Sequence, residues 1–337
     1  MRIEAAIGRV LAGDDLSMDE TADIINQVMD GQCGDAEIGV FLTALREKGE
    51  AVSEIAGAAA AMRKHMTKIR SQREQVVDTC GTGGDASGTF NISTAAALVA
   101  AAAGIAVAKH GNRSITSKTG SADVLEALGV NVEADVPLIE KCLNELGFCF
   151  CFAPQMHPSM RHVARVRRQL GVTTIFNLLG PLCNPASAPF QLLGVGRPEV
   201  RQSMADALVM LGTQRAVLVT GADGLDEVTL TGPTHVMEAN DQVLREWVWS
   251  PADFGLPESS LDSIRVDGPQ QSADMVRAVL EGAAGVARDI VVANAAAALW
   301  TAGKADDLRQ CAELAAAAID SRDASKLLTD LVQLTNR

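Results

Sequence analysis

Five short apolar runs, separated by segments of helical periodicity, constrain the fold of this chain more than any other feature. The runs are QVVDTC, GIAVAKH, FCFCFA, FQLLGVG and RAVLVTG, at residues 75–80, 104–110, 148–153, 190–196 and 215–221. Helical segments are expected at 92–103, 121–128, 138–146, 158–169 and 199–211. Because continuous apolar runs of this length are typical of strands buried on both faces, their alternation with helices predicts a mostly parallel sheet covered by helices on both sides.

Residues 1–68 are expected to form a small all-helical domain. Ser17 and Glu20 have the spacing of a capping box, and Asp35 and Gly49 bracket another helical segment. This domain precedes the first apolar run, so the sequence predicts two regions of different architecture.

Residues 74–337 are expected to form a larger α/β domain. Its segment THVMEANDQVLREWVWS alternates with period two around Asn240 and Asp241, which predicts a β-hairpin, and the residues that follow are expected to be helical. A helical segment near 160–185 is expected to join the N-terminal domain.

Composition argues against several classes of protein. The 337 residues are 47% hydrophobic and only 3% aromatic, with no tyrosine, which predicts an aliphatic, alanine-rich core. The net charge of -13 argues against a nucleic-acid partner, because such binding needs a broad basic surface. Seven scattered cysteines without a CxxC pair, the lack of a signal-peptide pattern and the shortness of the longest apolar run predict a cytoplasmic protein with no membrane partner.

The stretch DTCGTGGDASGTFNIST, residues 78–94, predicts a ligand loop. Four glycines between a strand and a helix are more than a tight corner needs, and bare backbone allows a ligand to approach closely. Gly81, Gly83 and Ala86 match a dinucleotide fingerprint, but Lys109 and His110 stand where that fingerprint needs an acid. The Walker pattern is also absent, so phosphate is the best candidate ligand.

A second polar stretch, Lys109–Gly129, follows the second predicted strand. Its cations are Lys109, Arg113 and Lys118. Its polar uncharged residues include Asn112, Ser114, Thr116, Ser117, Thr119 and Ser121. A polar run on its own is most often a solvated loop, but ligands collect at the carboxyl ends of strands. The two adjacent loops therefore predict a site for a doubly phosphorylated molecule.

Two charged motifs lie further along the chain. Asp226 and Glu227 follow the fifth strand; alone they could be surface charge, but beside a polyphosphate they are suitable Mg²⁺ ligands, and we expect two ions per subunit. Three arginines recur at helical spacing on a face expected to be solvated: Arg161, Arg165 and Arg168. Arg167 is turned away from that face, and its guanidinium suits a carboxylate. The apolar FNLLGPL that follows could wall a flat aromatic ligand.

At this point the sequence resembles the anthranilate phosphoribosyltransferase family over essentially the whole chain. The resemblance rests on DTCGTGGD, NIST, KHGNRSITSKTGSADVLEALG, HPSMRHVARVRRQLG, FNLLGPLCNPA and DEVTLTG, in the family's order. It implies a nucleoside phosphorylase/phosphoribosyltransferase-like fold, and transfer of the phosphoribosyl group of 5-phosphoribosyl 1-pyrophosphate (PRPP) to the amine of anthranilate, with release of pyrophosphate. A pyrimidine nucleoside phosphorylase-like enzyme, a nucleic-acid-binding paralogue and an inactive PRPP-binding scaffold are the alternatives.

The resemblance also implies roles for individual residues. PRPP would contact Gly81, Thr82, Gly83, Gly84, Asp85, Thr89, Asn91, Ser93, Thr94, Lys109 and Ser121. Anthranilate would contact Gly81, Asn112, His110, His157, Arg167, Gly180 and Pro181. Mg²⁺ would be held by Ser93, Asp226 and Glu227. No general base is assigned, and a homodimer through the helical domain is implied. Thr173 and Cys183 depart from the arginine and threonine expected there.

Overall fold

The structure, a computed structural model, describes residues 1–85, 87–114, 118–241 and 243–337. Its strands are β1 (Val76–Gly81), β2 (Ala106–Gly111), β3 (Phe148–Phe152), β4 (Phe190–Gly194), β5 (Arg215–Gly221), β6 (Thr234–Asn240) and β7 (Val243–Trp249). Its α-helices are α1 (Ile3–Leu11), α2 (Met18–Met29), α3 (Asp35–Lys48), α4 (Val52–His65), α5 (Ile92–Ala102), α6 (Ser121–Ala127), α7 (Val136–Leu146), α8 (Ala153–Met156), α9 (Arg161–Leu170), α10 (Phe176–Leu179), α11 (Arg201–Met210), α12 (Pro269–Leu280), α13 (Val286–Thr301), α14 (Leu308–Asp320) and α15 (Asp323–Thr335). Short 3-10 helices lie at Pro158–Met160, Gly180–Leu182, Pro198–Val200, Pro251–Phe254 and Asp262–Ile264. Ala86, Thr116 and Ser117, named above, lie outside the described residues.

The seven strands form one sheet in the order β3-β2-β1-β4-β5-β6-β7. The first five strands in this order are parallel, and β6 and β7 pair antiparallel at the other edge. The predicted mostly parallel sheet and the predicted hairpin are both confirmed. Asp241, in the hairpin turn, has a φ of 45°, a left-handed conformation that aspartate tolerates better than most residues.

Several helix ends differ from the predicted bounds. The predicted helices 158–169 and 199–211 each begin with a 3-10 turn that contains proline, and the α-helices start at Arg161 and Arg201. α7 begins two residues before the predicted 138, because the Asp135 side chain caps it by accepting a hydrogen bond from the amide of Leu138 at 3.0 Å. Local capping chemistry, rather than hydrophobic periodicity, sets these ends.

The N-terminal helices form a bundle that packs onto one face of the sheet. The predicted capping box of α2 is present, with the Glu20 amide donating to Ser17 Oγ at 3.2 Å. α3 begins at Asp35 itself, because Gly34 is its N-cap. Bundle residues such as Phe41 share one buried cluster with Leu193 and Leu218 of the sheet, and α9 and α10 pack against the bundle. The alanine-rich helices α5 and α13 cover the opposite face.

The strand order places a crevice at the carboxyl edge of the sheet. The chain continues from β1 to β2 and β3 on one side, and then returns to β4 and β5 on the other. At their ends Gly81 of β1 lies opposite Gly194 of β4. Ligands of open α/β sheets bind at such a change of direction, so the loops after these strands are the place to look for a site. Among the described residues, no helix combines the length and apolarity needed to cross a membrane.

Candidate active site

The glycine loop after β1 lies against the acidic pair after β5. The amide of Gly83 donates a hydrogen bond to Asp226 Oδ2 at 3.1 Å. A Cβ atom added to Gly81 would lie 2.7 Å from the same oxygen, so this contact excludes a side chain. Gly83 and Gly84 have φ angles of 67° and 87°, which glycine adopts without strain. The loop and the carboxylate therefore form one unit.

Two glycines of the FQLLGVG run also belong to this unit, although sequence reasoning treated that run only as a strand. A Cβ atom on Gly194 would lie 1.7 Å from the main-chain oxygen of Asp226, and one on Gly196 would lie 2.9 Å from that of Gly83. The Gly196 amide donates to Thr82 Oγ1 at 3.1 Å. The Gly-x-Gly spacing at the end of β4 was the available signal.

The acidic pair is half-buried and faces the start of α5. The amide of Ser93 donates to Glu227 Oε1 at 3.1 Å. Burial, followed by the neighbouring Asp85 carboxylate, raises the pKa of Asp226 to about 7. Burial and the adjacent Asp226 carboxylate raise the pKa of Glu227 to about 8. Clustered oxygen atoms whose negative charge is costly fit a divalent cation such as Mg²⁺, which favours carboxylate ligands.

Lys109 points toward this acidic pair. Its side chain is 2% exposed, and Nζ donates to the Thr79 carbonyl at 2.7 Å and to Ser93 Oγ at 3.2 Å. Burial lowers its pKa, and the Glu227 carboxylate opposes this effect. The ammonium is thus placed with the predicted metal ligands rather than among the polar side chains of its own loop.

The start of α5 is tied to both neighbouring loops. The Asn91 side chain donates to the Thr119 carbonyl at 3.2 Å, and its Oδ1 accepts from the Thr94 hydroxyl at 2.9 Å. Thr89 forms an isolated bridge with Arg265. The main-chain amide of Asn91 donates to Ser272 Oγ at 2.9 Å. These contacts hold Asn91 and Thr94 beside the glycine loop.

The polar loop after β2 balances much of its charge internally. Arg113 pairs with Glu126, and Lys118 pairs with Asp267 at 2.6 Å. Ser121, at the start of α6, donates its hydroxyl to the Asn112 carbonyl at 3.4 Å. Arg113 and Lys118 therefore do not add their full charge to a phosphate site, whereas Lys109 at the base of the loop is directed into it.

A second group of predicted residues lies on the other face of β2. Because successive side chains of a strand point to opposite faces, Lys109 and its neighbour His110 are directed apart. His110 Nε2 lies 3.3 Å from His157 Nε2, and the Gly180 main chain contacts the His110 imidazole. Burial lowers the pKa of His110 to about 3 and that of His157 to about 4, so both rings are neutral at pH 7.

Arg167 is distinguished from the other arginines of α9. Arg165 pairs with Asp35, and Arg161 and Arg168 are exposed. Arg167 is half-buried over the ring of Phe176, 5.7 Å from its centroid, and has no acidic partner among the described residues. Burial lowers its pKa, yet guanidinium remains charged, so this cation is available to a carboxylate ligand.

The predicted site residues thus fall into two groups. The contacts above bring together the phosphate and metal candidates, whose members are Gly81, Thr82, Gly83, Asp85, Ser93, Lys109, Asp226 and Glu227. His110, His157 and Gly180 form the second group, with Pro181 following in the same 3-10 turn. Asn112 contacts Arg113 and Ser121 and joins neither group through its side chain.

The two departures from the family pattern have different surroundings. Cys183 is fully buried, and its Sγ donates to the Ala59 carbonyl of α4 at 3.7 Å. Thr173 is exposed. Cys183 therefore belongs to the packing between α4 and the segment after α10, whereas Thr173 lies on the surface.

Sequence reasoning missed two buried residues behind the site. Ser272 of α12 accepts the Asn91 amide, and Asn294 of α13 accepts the amide of Val228 at 2.8 Å, next to Glu227. Both are 0% exposed. They lie far along the chain from the motifs, in helices that otherwise show only a core pattern.

Comparison with known proteins gives a consistent family. Residues 73–325 match the model described as glycosyl transferase family, a/b domain, and residues 4–66 match its helical bundle domain. A protein from Rhodopirellula baltica named anthranilate phosphoribosyltransferase is 50% identical over 328 residues, which cover 97% of this chain and 96% of that protein.

Solved structures agree. The crystal structure of anthranilate phosphoribosyltransferase from Thermus thermophilus has a TM-score of 0.93 at 41% identity, covering 98% of this chain and 99% of that one. The Saccharomyces cerevisiae enzyme in complex with PRPP and Mg has a TM-score of 0.90 at 28% identity, covering 99% and 98%. Its complex with 4-fluoroanthranilate has a TM-score of 0.88 at 27% identity, with the same coverage.

Proposed function

Because this chain belongs to the anthranilate phosphoribosyltransferase family, we propose that it transfers the 5-phosphoribosyl group of PRPP to the amine of anthranilate. The products are N-(5-phosphoribosyl)anthranilate and pyrophosphate, and the reaction is a step of tryptophan biosynthesis. In the structure, the observation that supports this most directly is the contact of the glycine loop with the acidic pair, since it places bare backbone amides beside carboxylates suited to Mg²⁺.

The first group of site residues would bind PRPP. Amides of the glycine loop and of the α5 N-terminus are suited to the pyrophosphate oxygens, because glycine loops and helix starts expose main-chain N–H groups. Asn91 and Thr94, held beside the loop, would contact phosphate or ribose, as would Thr89 and Ser121. The buried ammonium of Lys109 supplies a fixed positive charge.

Ser93, Asp226 and Glu227 would hold the Mg²⁺ that this family's chemistry uses, and we propose two ions per subunit. When bound, Mg²⁺ neutralises charge on the pyrophosphate leaving group. The Ser93 hydroxyl accepts from Lys109 Nζ, and the Ser93 amide is already bound to Glu227. The protein therefore offers hard oxygen ligands within a site where their charge is costly without a cation.

The second group would bind anthranilate. The Arg167 guanidinium, which no acidic side chain of the described residues neutralises, suits its carboxylate, and Gly180 and Pro181 would line a flat pocket beside it. Neutral His110 and His157 would lie next to this pocket without repelling a cation that develops on the ribose. Asn112 and Gly81 would contact the ligand from the ends of β2 and β1.

The physical task of the site is mainly electrostatic. Breaking the bond between ribose C1 and pyrophosphate builds positive charge on the sugar and negative charge on the leaving group. Lys109 and the loop amides stabilise the leaving charge from fixed positions, which avoids reorganisation during the reaction. The anthranilate amine is already neutral, so the residues need to position it rather than activate it, and no general base is assigned.

The remaining organisation is also a proposal. We place the domain division at 1–68 and 74–337, with the segment near 160–185 joining the bundle; the family-model matches at 4–66 and 73–325 support it. A homodimer through the helical domain is supported by the exposed apolar side chains of Leu11 and Val40. A cytoplasmic location is supported by seven cysteines that are all free thiols.

The reaction is tested by identifying products. Incubation of the protein with PRPP, Mg²⁺ and anthranilate should yield pyrophosphate and a phosphoribosylated anthranilate in equal amounts, as detected by ³¹P NMR and mass spectrometry. Incubation with uridine and inorganic phosphate should yield no uracil. The reverse pattern would contradict the proposal and favour a pyrimidine nucleoside phosphorylase-like enzyme.

A further inference from the structure

Helix α13 carries a single polar side chain within its buried stretch from Ile290 to Leu299. This residue is Asn294, which is 0% exposed among alanine, valine, isoleucine and leucine side chains. An amide buried without partners costs about 1–3 kcal/mol, so the partners of Asn294 show what the residue holds.

Asn294 grips the main chain of one residue from both sides. Its Oδ1 accepts the Val228 amide at 2.8 Å, and its Nδ2 donates to the Val228 carbonyl at 2.9 Å. Nδ2 also donates to the Ile290 carbonyl in its own helix at 2.9 Å. This reciprocal pair resembles the bonds between two strands, so it fixes both the position and the direction of the backbone at Val228.

Val228 directly follows the acidic pair, which makes this contact relevant to the metal site. The preceding residues are held from the opposite side, since Gly83 donates to Asp226 and Ser93 donates to Glu227. Gly194 leaves no room for the Asp226 main chain to move toward β4. Asn294 supplies the restraint from behind, through a helix that contributes no other polar side chain within this buried stretch.

We propose that Asn294 is a positioning residue for the metal-binding carboxylates of Asp226 and Glu227. This inference rests on the proposed function of that pair as Mg²⁺ ligands. Metal ligands must be held close to their bound geometry, and Asn294 fixes the backbone next to this pair from the α13 side. Outer partners of metal ligands typically change metal affinity by about 10- to 100-fold when they are removed.

A matched pair of variants separates positioning from general stability. Asn294→Leu removes the grip on Val228 with a side chain of similar size. Thr301→Val removes a buried hydrogen bond from the same helix, since Thr301 is 0% exposed and its Oγ1 donates to the Ala297 carbonyl at 2.7 Å. Thr301 contacts no residue of the site through that bond, so this variant controls for loss of helix stability.

The measurement is Mn²⁺ binding in the presence of pyrophosphate, with free Mn²⁺ counted by electron paramagnetic resonance. We expect Asn294→Leu to bind Mn²⁺ about 10-fold or more weakly than the wild type and Thr301→Val to bind it normally. If Asn294→Leu does not fold, Asn294→Ala is measured in the same way. Equal affinity in the Asn294 and Thr301 variants overturns the inference. Failure of the wild type to bind Mn²⁺ instead overturns the metal site itself.

Discussion

The amide of Gly83 donates a 3.1 Å hydrogen bond to the carboxylate of Asp226, across 143 residues of sequence. This contact joins the loop proposed to bind pyrophosphate to the pair proposed to bind Mg²⁺. It also explains the glycines on either side, because added Cβ atoms at Gly81 and Gly194 would collide with Asp226. The phosphate and metal sites are therefore expected to fail together when this junction is disturbed.

Gly194→Ala should disturb the junction directly. Its Cβ would lie 1.7 Å from the Asp226 carbonyl oxygen, so the acidic segment must shift. Overpacking of this kind costs about 1–3 kcal/mol, and we expect a lower melting temperature together with weaker PRPP binding. Gly232→Ala is the control, because its Cβ meets no atom within 4 Å. Unchanged PRPP affinity in Gly194→Ala by calorimetry would contradict the proposed junction.

The acidic pair should give the metal-free protein a characteristic pH dependence. The pKa values of Asp226 and Glu227 are raised from 3.8 and 4.5 to about 7 and about 8. Between these limits the folded state keeps protons that the unfolded state has lost, so the free energy of unfolding falls as the pH rises from about 4 to about 8. His110 and His157 act in the opposite sense below pH 6.5, because their pKa values are lowered.

The cleanest comparison is therefore between pH 6.5 and about 8.5, in EDTA. Over this range the wild type should lose more stability toward urea than the double variant Asp226→Asn/Glu227→Gln, which has the same shape and no titrating carboxyls. Parallel pH dependences in the two proteins would show that the pair does not retain protons in the folded state.

Arg167→Ala should act on one substrate only. Loss of a hydrogen bond to a charged group costs about 1.5–3 kcal/mol, so the anthranilate KM should rise about 10- to 100-fold while the PRPP KM stays near its original value. Arg168→Ala, an exposed neighbour on the same helix, should change neither. Steady-state kinetics with each substrate varied in turn make the comparison, and equal rises of both KM values would exclude a carboxylate-specific role.

The proposed dimer interface is tested with two exposed valines. Val40 of α3 is 47% exposed and Val248 of β7 is 63% exposed. If the helical domain forms the interface, Val40→Asp should produce monomers by light scattering after size-exclusion chromatography, because it would bury a charge. Val248→Asp should leave the dimer intact. A wild-type monomer, or a dimer that tolerates Val40→Asp and is lost in Val248→Asp, would contradict this interface.

The parallel strands were largely predictable, because strands buried on both faces leave continuous apolar runs. Asp226 and Glu227 were also accessible, since adjacent carboxylates directly after a strand are a local pattern. The direction of Lys109 was not, because its side chain is governed by the alternation of β2 and by Thr79 and Ser93, which come from other elements.

The supporting residues could not be found from local sequence. Asn294 stands alone in an apolar helix, and its pattern is that of a core helix with one polar residue. Its importance comes from a contact 66 residues away, with Val228. Ser272 is a comparable case, since its partner Asn91 is 181 residues distant. Tertiary contacts of this kind leave no periodicity in either segment.

The reaction itself is tested most directly by anthranilate fluorescence. The purified protein is mixed with anthranilate, PRPP and Mg²⁺, and each component is omitted in turn. We predict that fluorescence decays only in the complete mixture, because the fluorescent amine is consumed by phosphoribosyl transfer. Constant fluorescence in the complete mixture, with PRPP binding retained by calorimetry, would contradict anthranilate as the acceptor.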